Sequence, residues 1–366
     1  MRPGRPKGGN DMNGLTPDFR RLETALQHRE PDRVPLVETT IAYEIMSRLL
    51  GREVTATDLQ AQVEFWAKAG YDFIPLTAGM MQPGKVTENS AISKVIKKMI
   101  IKDQDNDDAW NLEKRAFIFN EDDFNHFPWD EAAKLDYSDF YQVQQYLPEG
   151  MKIIALSGKI FTLSWLLMGY ENFCINLMLN PGLIEKIIIR VSEIQFAGIE
   201  KAITIPNVAA VWCIDDIAFG TGTMIGPKHL RQYIFPWYEK VVKLCHDKGL
   251  YVFYHTDGMI REILDDLIGL GFDALHPIDP TCMDIVELKK KIGDRISLFG
   301  NVATDLLQNG TPEEVEAVTR EKIRVLAPGG GYCLASGNSV PEWAKFENYQ
   351  AMITAALKYG KYPISL

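Results

Sequence analysis

The sequence predicts a (β/α)8 barrel, and three observations lead to this fold class. Eight short apolar runs alternate with segments of helical periodicity, which is the pattern of parallel strands joined by crossover helices. Most of the runs end in polar or acidic residues, as barrel strands do where they reach an active-site face. The 366 residues, 46% of them hydrophobic, suffice for one barrel with an insertion.

Four predicted strands lie in the first part of the chain, and each contains β-branched or aromatic residues, which favour strands. They are RVPLVE (33–38), DFIPLT (72–77), MKIIALS (151–157) and AAVWCI (209–214). A helix over about 57–69 closes at Gly70, before the second strand, and a long helical region precedes the fourth.

The alternation is interrupted after the second strand, over about residues 79–150. Two β-type runs, 94–101 and 115–119, flank a polar turn, which predicts an inserted β-hairpin. An acidic, aromatic segment and a helix near 137–146 follow it. An insertion at a strand end would lie over the barrel mouth and shape the substrate opening.

The second part of the chain repeats strand and helix at short intervals. Its strands are YVFY (251–254), DAL (273–275), ISLF (296–299) and YCLA (332–335). The helix before the last of these begins at Thr311, where a threonine N-cap, a proline and Glu314 predict a capping box. Eight alternating units predict a parallel sheet closed as a barrel.

Composition limits the domain plan and the partners. The basic, Gly- and Pro-rich residues 1–20 lack the apolar core of a signal peptide, so we expect a disordered leader before a single barrel domain, 21–366. The net charge of −10 argues against nucleic-acid and anionic-membrane partners. No apolar run approaches the ~20 residues of a membrane span. Five scattered cysteines indicate reduced thiols and a cytoplasmic location.

Polar side chains at the strand ends form the candidate site. His255 and Asp257, two residues apart, would share one face of an extended strand. His276 ends the neighbouring strand, ~4.8 Å away in a sheet. Two imidazoles and a carboxylate so placed could hold zinc with an open fourth position. They could instead form a hydrogen-bonded polar layer that orients a substrate without metal.

Further strand-end residues complete the predicted site. We predict catalytic roles for Glu38, Asp215 and Asp216, which stand at strand ends. An unpaired carboxylate at a barrel mouth is costly to bury, so Glu38 would either take a catalytic or ligand role or pair with a neighbouring arginine or lysine. One of the adjacent aspartates could act as acid, base or ligand while the other caps the loop that follows. Alternatively, both could hold the Gly-rich turn FGTGTMIGP by bonding its amides. Candidate substrate-binding residues are Asn301, Ser336 and Asn338.

Several segments resemble the uroporphyrinogen decarboxylase superfamily. The strongest are YHTDGMIREILDDLIGLGFDALHPIDP, GDRISLFGNVATDLLQNGTPEEVEAVTREKI and LAPGGGY, and RVPLVE and DDIAFGTGTMIGP fit the same pattern. The resemblance runs from about Arg33 to the C-terminus. It implies a (β/α)8 barrel, in agreement with the strand count.

Within the superfamily, the chain looks closer to the corrinoid-dependent methyltransferases than to the true decarboxylases. The decarboxylases carry arginines after the first strand that clamp the substrate carboxylates, whereas this chain has ETTIAYEIM. They also carry a histidine beside the glycines before the last strand, where this chain has Gly330, Gly331 and Tyr332. Without the clamp, an acidic chain is badly suited to an octa-anionic porphyrinogen.

The ligand pattern implies the type of methyl transfer. Thiol-methylating members resemble His-x-Cys-Gly at the fifth strand end, with a second cysteine near the last glycine turn. Here His255 matches the histidine, Asp257 stands at the first cysteine position and glycines occupy the second. Oxygen and nitrogen ligands are harder than thiolates and suit an oxygen-bearing substrate.

The resemblance therefore implies O-demethylation of a small methylated compound, for example a methoxylated aromatic. It implies zinc in the site, and cobalamin carried by a partner corrinoid protein as the methyl acceptor. The alternatives are a uroporphyrinogen decarboxylase-like decarboxylase and a non-catalytic small-molecule-binding barrel.

Overall fold

The computed structural model describes residues 15–78 and 116–365. Within these ranges seven parallel strands form one curled sheet in chain order, and two short strands form a separate antiparallel ribbon. In chain order the strands are β1 Phe73–Thr77, β2 Lys152–Ser157, β3 Val208–Ile214, β4 Ala218–Phe219, β5 Gly222–Thr223, β6 Tyr251–His255, β7 Ala274–His276, β8 Ser297–Phe299 and β9 Tyr332–Cys333. The ribbon consists of β4 and β5, and it follows directly on β3.

Helices connect and surround these strands. The longer ones are Arg20–Leu26, Tyr43–Leu50, Leu59–Lys68, Ile160–Met168, Tyr170–Leu179, Pro181–Ala202, Phe235–His246, Ile285–Ile292, Pro312–Leu326 and Phe346–Tyr359; shorter ones are Glu121–His126, Trp129–Ala132, Ser138–Gln142, Leu264–Gly269 and Thr304–Asn309. The predicted capping box is confirmed, since Thr311 Oγ1 accepts from Glu314 N and Glu314 Oε2 accepts from Thr311 N. None of the helices described is long and apolar enough to cross a membrane.

The segment predicted as the first strand is irregular. Leu36 forms one parallel bridge with Leu334, whose N donates to Pro35 O while Val37 N donates to Leu334 O, both at 2.9 Å. Pro35 has no N–H to give, which limits a regular ladder here. Among the described residues no bridge joins this segment to β1. The regular sheet therefore has seven strands rather than the eight predicted.

The predicted insertion is described only in part. Residues 94–101 lie outside the described residues, and residues 116–119 form no strand, so the second half of the predicted hairpin is wrong there. The helix predicted near 137–146 is present as Ser138–Gln142, followed by a 3-10 turn at Val143–Gln145.

The predicted leader is also described only in part. Residues 1–14 lie outside the described residues. Residues 15–20 are packed on the barrel, since Phe19 is buried and Asp18 N donates to Asp72 Oδ1 at 2.9 Å. A helix already begins at Arg20.

Alternate residues of each strand face two different layers. Trp212, Ile214 and Phe253 pack with one another inside the curled sheet, whereas Cys213 and Tyr254 pack in the outer layer with the helices. The same alternation, continued past the end of β3, places Asp216 on the inner face and Asp215 on the outer face. This division determines which strand-end residues meet.

The parallel register brings the strand ends level. Ile214 pairs with His255, and His255 pairs with His276. Pairing continues past the ends of the strands, where Asp215 N donates to His255 O at 3.0 Å and Thr256 N donates to His276 O at 3.1 Å. The residues that follow β3, β6 and β7 are consequently neighbours at the carboxyl end of the sheet.

Candidate active site

Asp216, His255 and Asp257 form a compact cluster at this end of the sheet. One ligand atom of each lies within 4.8 Å of those of the other two. His255 Nε2 is 3.7 Å from Asp216 Oδ1 and 3.9 Å from Asp257 Oδ1. The imidazole is buried, while both carboxylates are about one-third exposed, at 33% and 36% of their side-chain surface. The cluster is therefore anchored in the barrel and open on its carboxylate side.

Hydrogen bonds hold the two carboxylates in place. Asp257 N donates to Asp216 Oδ1 at 3.1 Å, and Asn338 Nδ2 donates to Asp257 Oδ2. Burial raises the pKa of Asp257 to about 6, and the neighbouring Asp216 adds to this, while His255 opposes it. A bound cation would favour the ionised form of both acids.

His276 supports His255 from behind. The two Nδ1 atoms are 2.7 Å apart, and the His276 ring meets Trp212 edge-on. Burial, reinforced by His255, lowers the pKa of His276 well below its usual value, so it is neutral. In the tautomer that leaves His255 Nε2 free for a metal, His255 Nδ1–H donates to His276 Nδ1. We predicted His276 as a ligand, but Asp216 takes the third position in the cluster.

Asp215 is fully buried on the outer face. It accepts from Phe161 N at 2.7 Å and Thr162 N at 2.8 Å, in the first turn of Ile160–Met168, and from the Tyr238 hydroxyl at 2.5 Å. Burial raises its pKa to about 6, against the opposing effect of these bonds. Since protein donors occupy both oxygens, the contacts favour a structural role over the catalytic role that we predicted.

Glu38 is also buried on the outer face. Its carboxyl accepts from Ser336 N at 2.6 Å and from Ser336 Oγ at 2.9 Å. Leu36 packs in the outer layer and Val37 in the inner one, so the alternation turns Glu38 away from the cluster. Burial raises its pKa to about 8, which keeps it neutral at pH 7. Glu38 and Ser336 thus join the first segment to the residues that follow β9.

The three predicted substrate-binding residues lie in different surroundings in the structure. Asn338 contacts the cluster through Asp257. Asn301 is buried, with its Nδ2 donating to Ile278 O at 2.5 Å and its Oδ1 accepting from Lys322 Nζ at 2.6 Å. Ser336 binds Glu38. Only the position of Asn338 fits a direct part in the site.

The wild-type protein should lose stability as the pH rises, because Glu38 is buried in its neutral form. We expect Glu38→Gln to remove this loss. The pKa of Glu38 is raised from 4.5 to about 8 on folding. Below pH 4.5 Glu38 is protonated in both the folded and the unfolded chain. Between pH 4.5 and pH 8 the unfolded chain has lost this proton, whereas the folded chain still carries it. Across that window the free energy of unfolding falls by up to about 1.4 kcal/mol per pH unit, and above about pH 8 the loss is complete.

Urea unfolding near pH 5 and again near pH 8.5 tests the Glu38 prediction. The wild type should lose stability relative to Glu38→Gln as the pH rises. The same pH dependence in both proteins would show that Glu38 is ionised in the folded chain.

Lys159 is a site residue that the sequence analysis missed. It is 2% exposed, and follows Gly158 at the end of β2. Burial lowers its pKa, and the carboxylates of Asp216, Asp215 and Asp257 oppose this shift. A signal was present in the sequence: one lysine stands directly after a strand end, in the otherwise uncharged stretch ALSGKIFTLSW.

Gly258 lets the β4–β5 ribbon approach the cluster. It has φ +85°, and a Cβ at this position would lie 2.6 Å from Phe219 O. Met259 N donates to the same carbonyl at 2.8 Å. The ribbon therefore lies against the residue after Asp257, and only glycine permits this contact.

The donor set fits a divalent metal ion such as zinc. One imidazole nitrogen and two carboxylate oxygens are standard zinc donors, and an open side leaves room for water or substrate. His276 behind His255 is the kind of hydrogen-bond partner that orients a metal-binding imidazole. The residues that would hold the ion are Asp216, His255 and Asp257.

A curled parallel α/β sheet with ionisable groups clustered at its carboxyl end is the architecture of a barrel-type enzyme. The chain belongs to the uroporphyrinogen decarboxylase (URO-D) family, whose profile matches residues 122–359. This confirms the predicted superfamily.

Among solved structures, a methyltransferase from Methanosarcina mazei matches with a TM-score of 0.63. Its sequence is 17% identical, and the match covers 93% of this chain and 98% of that one. At this identity the match supports the fold. No curated protein matches the chain.

Proposed function

We propose that the protein is a methyltransferase that moves a methyl group from a small methyl ether to the cobalt of a partner corrinoid protein. The cluster of Asp216, His255 and Asp257 carries this proposal, because hard oxygen and nitrogen donors suit an oxygen-bearing substrate. The methyltransferase of the same fold supports the reaction class. A methoxylated aromatic compound is the donor that we favour.

Decarboxylation of a porphyrinogen, which the family name suggests, fits the residues less well. The stretch after the first segment, ETTIAYEIM, contains no arginine to clamp carboxylates. The groups at the open side of the cluster are themselves carboxylates, which repel a polyanion. A substrate of low charge is better matched to this opening.

The chain contributes position and electrostatics to methyl transfer. A divalent metal, when bound, would act as a Lewis acid on the ether oxygen and make it a better leaving group. His276 orients His255, and Asn338 orients Asp257, so that the open side of the cluster faces the mouth. The substrate and the corrinoid edge would both enter there.

The direct assay mixes the enzyme, a reduced corrinoid protein and candidate methyl ethers. Methylation of the corrinoid, followed by absorbance, should appear together with the demethylated product. Uroporphyrinogen that loses carboxylates at an enzymatic rate would instead establish a decarboxylase. An ether that binds but stays intact under these conditions would favour the non-catalytic barrel.

A further inference from the structure

We propose that Lys159 binds the substrate oxygen that becomes negatively charged when the methyl group leaves. The substrates would then be aryl methyl ethers, or other ethers whose product is a stable anion. This inference rests on the proposed function and adds a specificity-determining residue to it.

The position of Lys159 follows from the strand register. Ser157 pairs with Cys213, and Gly158, with φ +82°, ends the extended alternation of the strand. Lys159 follows at the level of Asp215 and Asp216, and Asp216 is the carboxylate that acts on it most strongly. Gly158 brings the chains close at this point, since a Cβ there would be 2.9 Å from Cys213 Sγ. The ammonium group is thereby carried to the same end of the sheet as the cluster.

The Lys159 side chain is buried, and its ammonium has no hydrogen-bond acceptor in the part of the chain that the structure describes. Its side chain is 2% exposed, and no atom of residues 15–78 or 116–365 accepts a hydrogen bond from it. The carboxylates of Asp216, Asp215 and Asp257 favour the charged form of Lys159, and an oxygen of a bound ligand would supply the hydrogen-bond acceptor that these residues do not. Both oxygens of Asp215, the nearest carboxylate in the register, are taken up by other donors.

A hydrogen bond from Lys159 would favour an anionic product. The charges of Asp216 and Asp257 would offset one divalent ion, and the carboxylate of Asp215, which also acts on Lys159, offsets the ammonium. A charge-assisted hydrogen bond from the ammonium strengthens as negative charge develops on its acceptor. The site would thus hold the product oxygen, and the developing charge before it, better than the ground state.

The transfer step balances without a further reagent. The carbon–oxygen bond breaks and its electron pair stays on oxygen, while the pair for the new bond to carbon comes from the reduced corrinoid acceptor. The oxygen gains one negative charge. The Lys159 ammonium donates a hydrogen bond to it, and the product leaves as the anion or takes a proton from water.

Equilibrium dialysis of the metal-loaded enzyme tests this role with two probes, 4-nitrophenolate and its neutral methyl ether, 4-nitroanisole. The wild type should bind the anion more tightly than the ether. Loss of a charge-assisted hydrogen bond in Lys159→Met should weaken binding of the anion about 10- to 100-fold. Affinity for the ether and the metal content should stay unchanged. Lys159→Arg, which retains the charge, should keep most of the affinity.

Lys152→Met is the matched control, because Lys152 begins the same strand and bonds Asn207 at the far end. It should leave both affinities unchanged. If Lys159→Met fails to fold, Lys159→Gln can be used instead, because it also removes the charge but keeps a polar side chain. Unchanged anion affinity in the uncharged variant, or no preference of the wild type for the anion, would overturn the proposal. The dialysis experiment needs neither a corrinoid protein nor turnover. A wild type without methyl-transfer activity would therefore contradict the proposed function but not the role of Lys159 in binding the anion.

Discussion

His255→Ala should lose bound metal and methyl-transfer activity together, with activity falling at least about 100-fold. His255 supplies the only imidazole in the cluster, and its Nε2 faces both carboxylates. Removing one of three protein ligands leaves a site too weak to retain the ion. Metal analysis of the purified protein and the corrinoid methylation assay measure the two losses.

The His255 experiment has controls within the chain. His126→Ala changes a histidine that is 77% exposed and whose Nδ1 contacts Asp122 of its own helix, so metal content and activity should not change. Loss of the supporting imidazole in His276→Ala should weaken metal affinity about 10- to 100-fold rather than abolish binding. A wild type that is fully active without metal would exclude the metal site and leave the carboxylic acids as proton donors.

The adjacent aspartates should respond oppositely to the same substitution. Asp215→Asn should lower the free energy of unfolding by about 2 to 4 kcal/mol, because its oxygens accept from two helix amides and Tyr238 in a buried site. Asp216→Asn should cost less than about 1 kcal/mol, since its carboxylate is partly exposed. Metal binding should be lost in Asp216→Asn and kept in Asp215→Asn.

Urea unfolding of the metal-free proteins, with metal analysis of the loaded ones, separates the two effects. Metal-free samples are needed because a bound ion stabilises the folded state by mass action. Large destabilisation by Asp216→Asn, with little by Asp215→Asn, would show that the inner and outer faces are assigned the wrong way round.

The strands that the sequence predicted correctly are those in which local preference and burial agree. Runs such as KIIALS and YVFYH are rich in apolar and β-branched or aromatic side chains, and both are observed as strands. Residues 33–38 have a similar composition, but Pro35 limits the backbone pairing that would make the segment regular. Composition predicts a preference for a strand, whereas hydrogen-bond partners decide whether it forms.

The candidate site was predictable where it follows from alternation along one strand. His255 and Asp257 are two residues apart, and the structure brings both to the inner face. The same rule, applied from Trp212 and Ile214, would have selected Asp216 over Asp215, and from Val37 would have turned Glu38 outward. The alternation along a strand is thus enough to distinguish the two adjacent aspartates.

By itself, then, the sequence determined the order of the strands, the family and the His255–Asp257 pair, because each depends on periodicity or on residues close in the chain. Only the tertiary structure decided that Asp216 completes the cluster and that His276 stands behind His255. It alone also decided that Lys159 is buried beside them. These relations depend on the register between strands distant in sequence and on how each side chain packs. Such contacts are set by the assembled sheet and leave no fixed spacing along the chain.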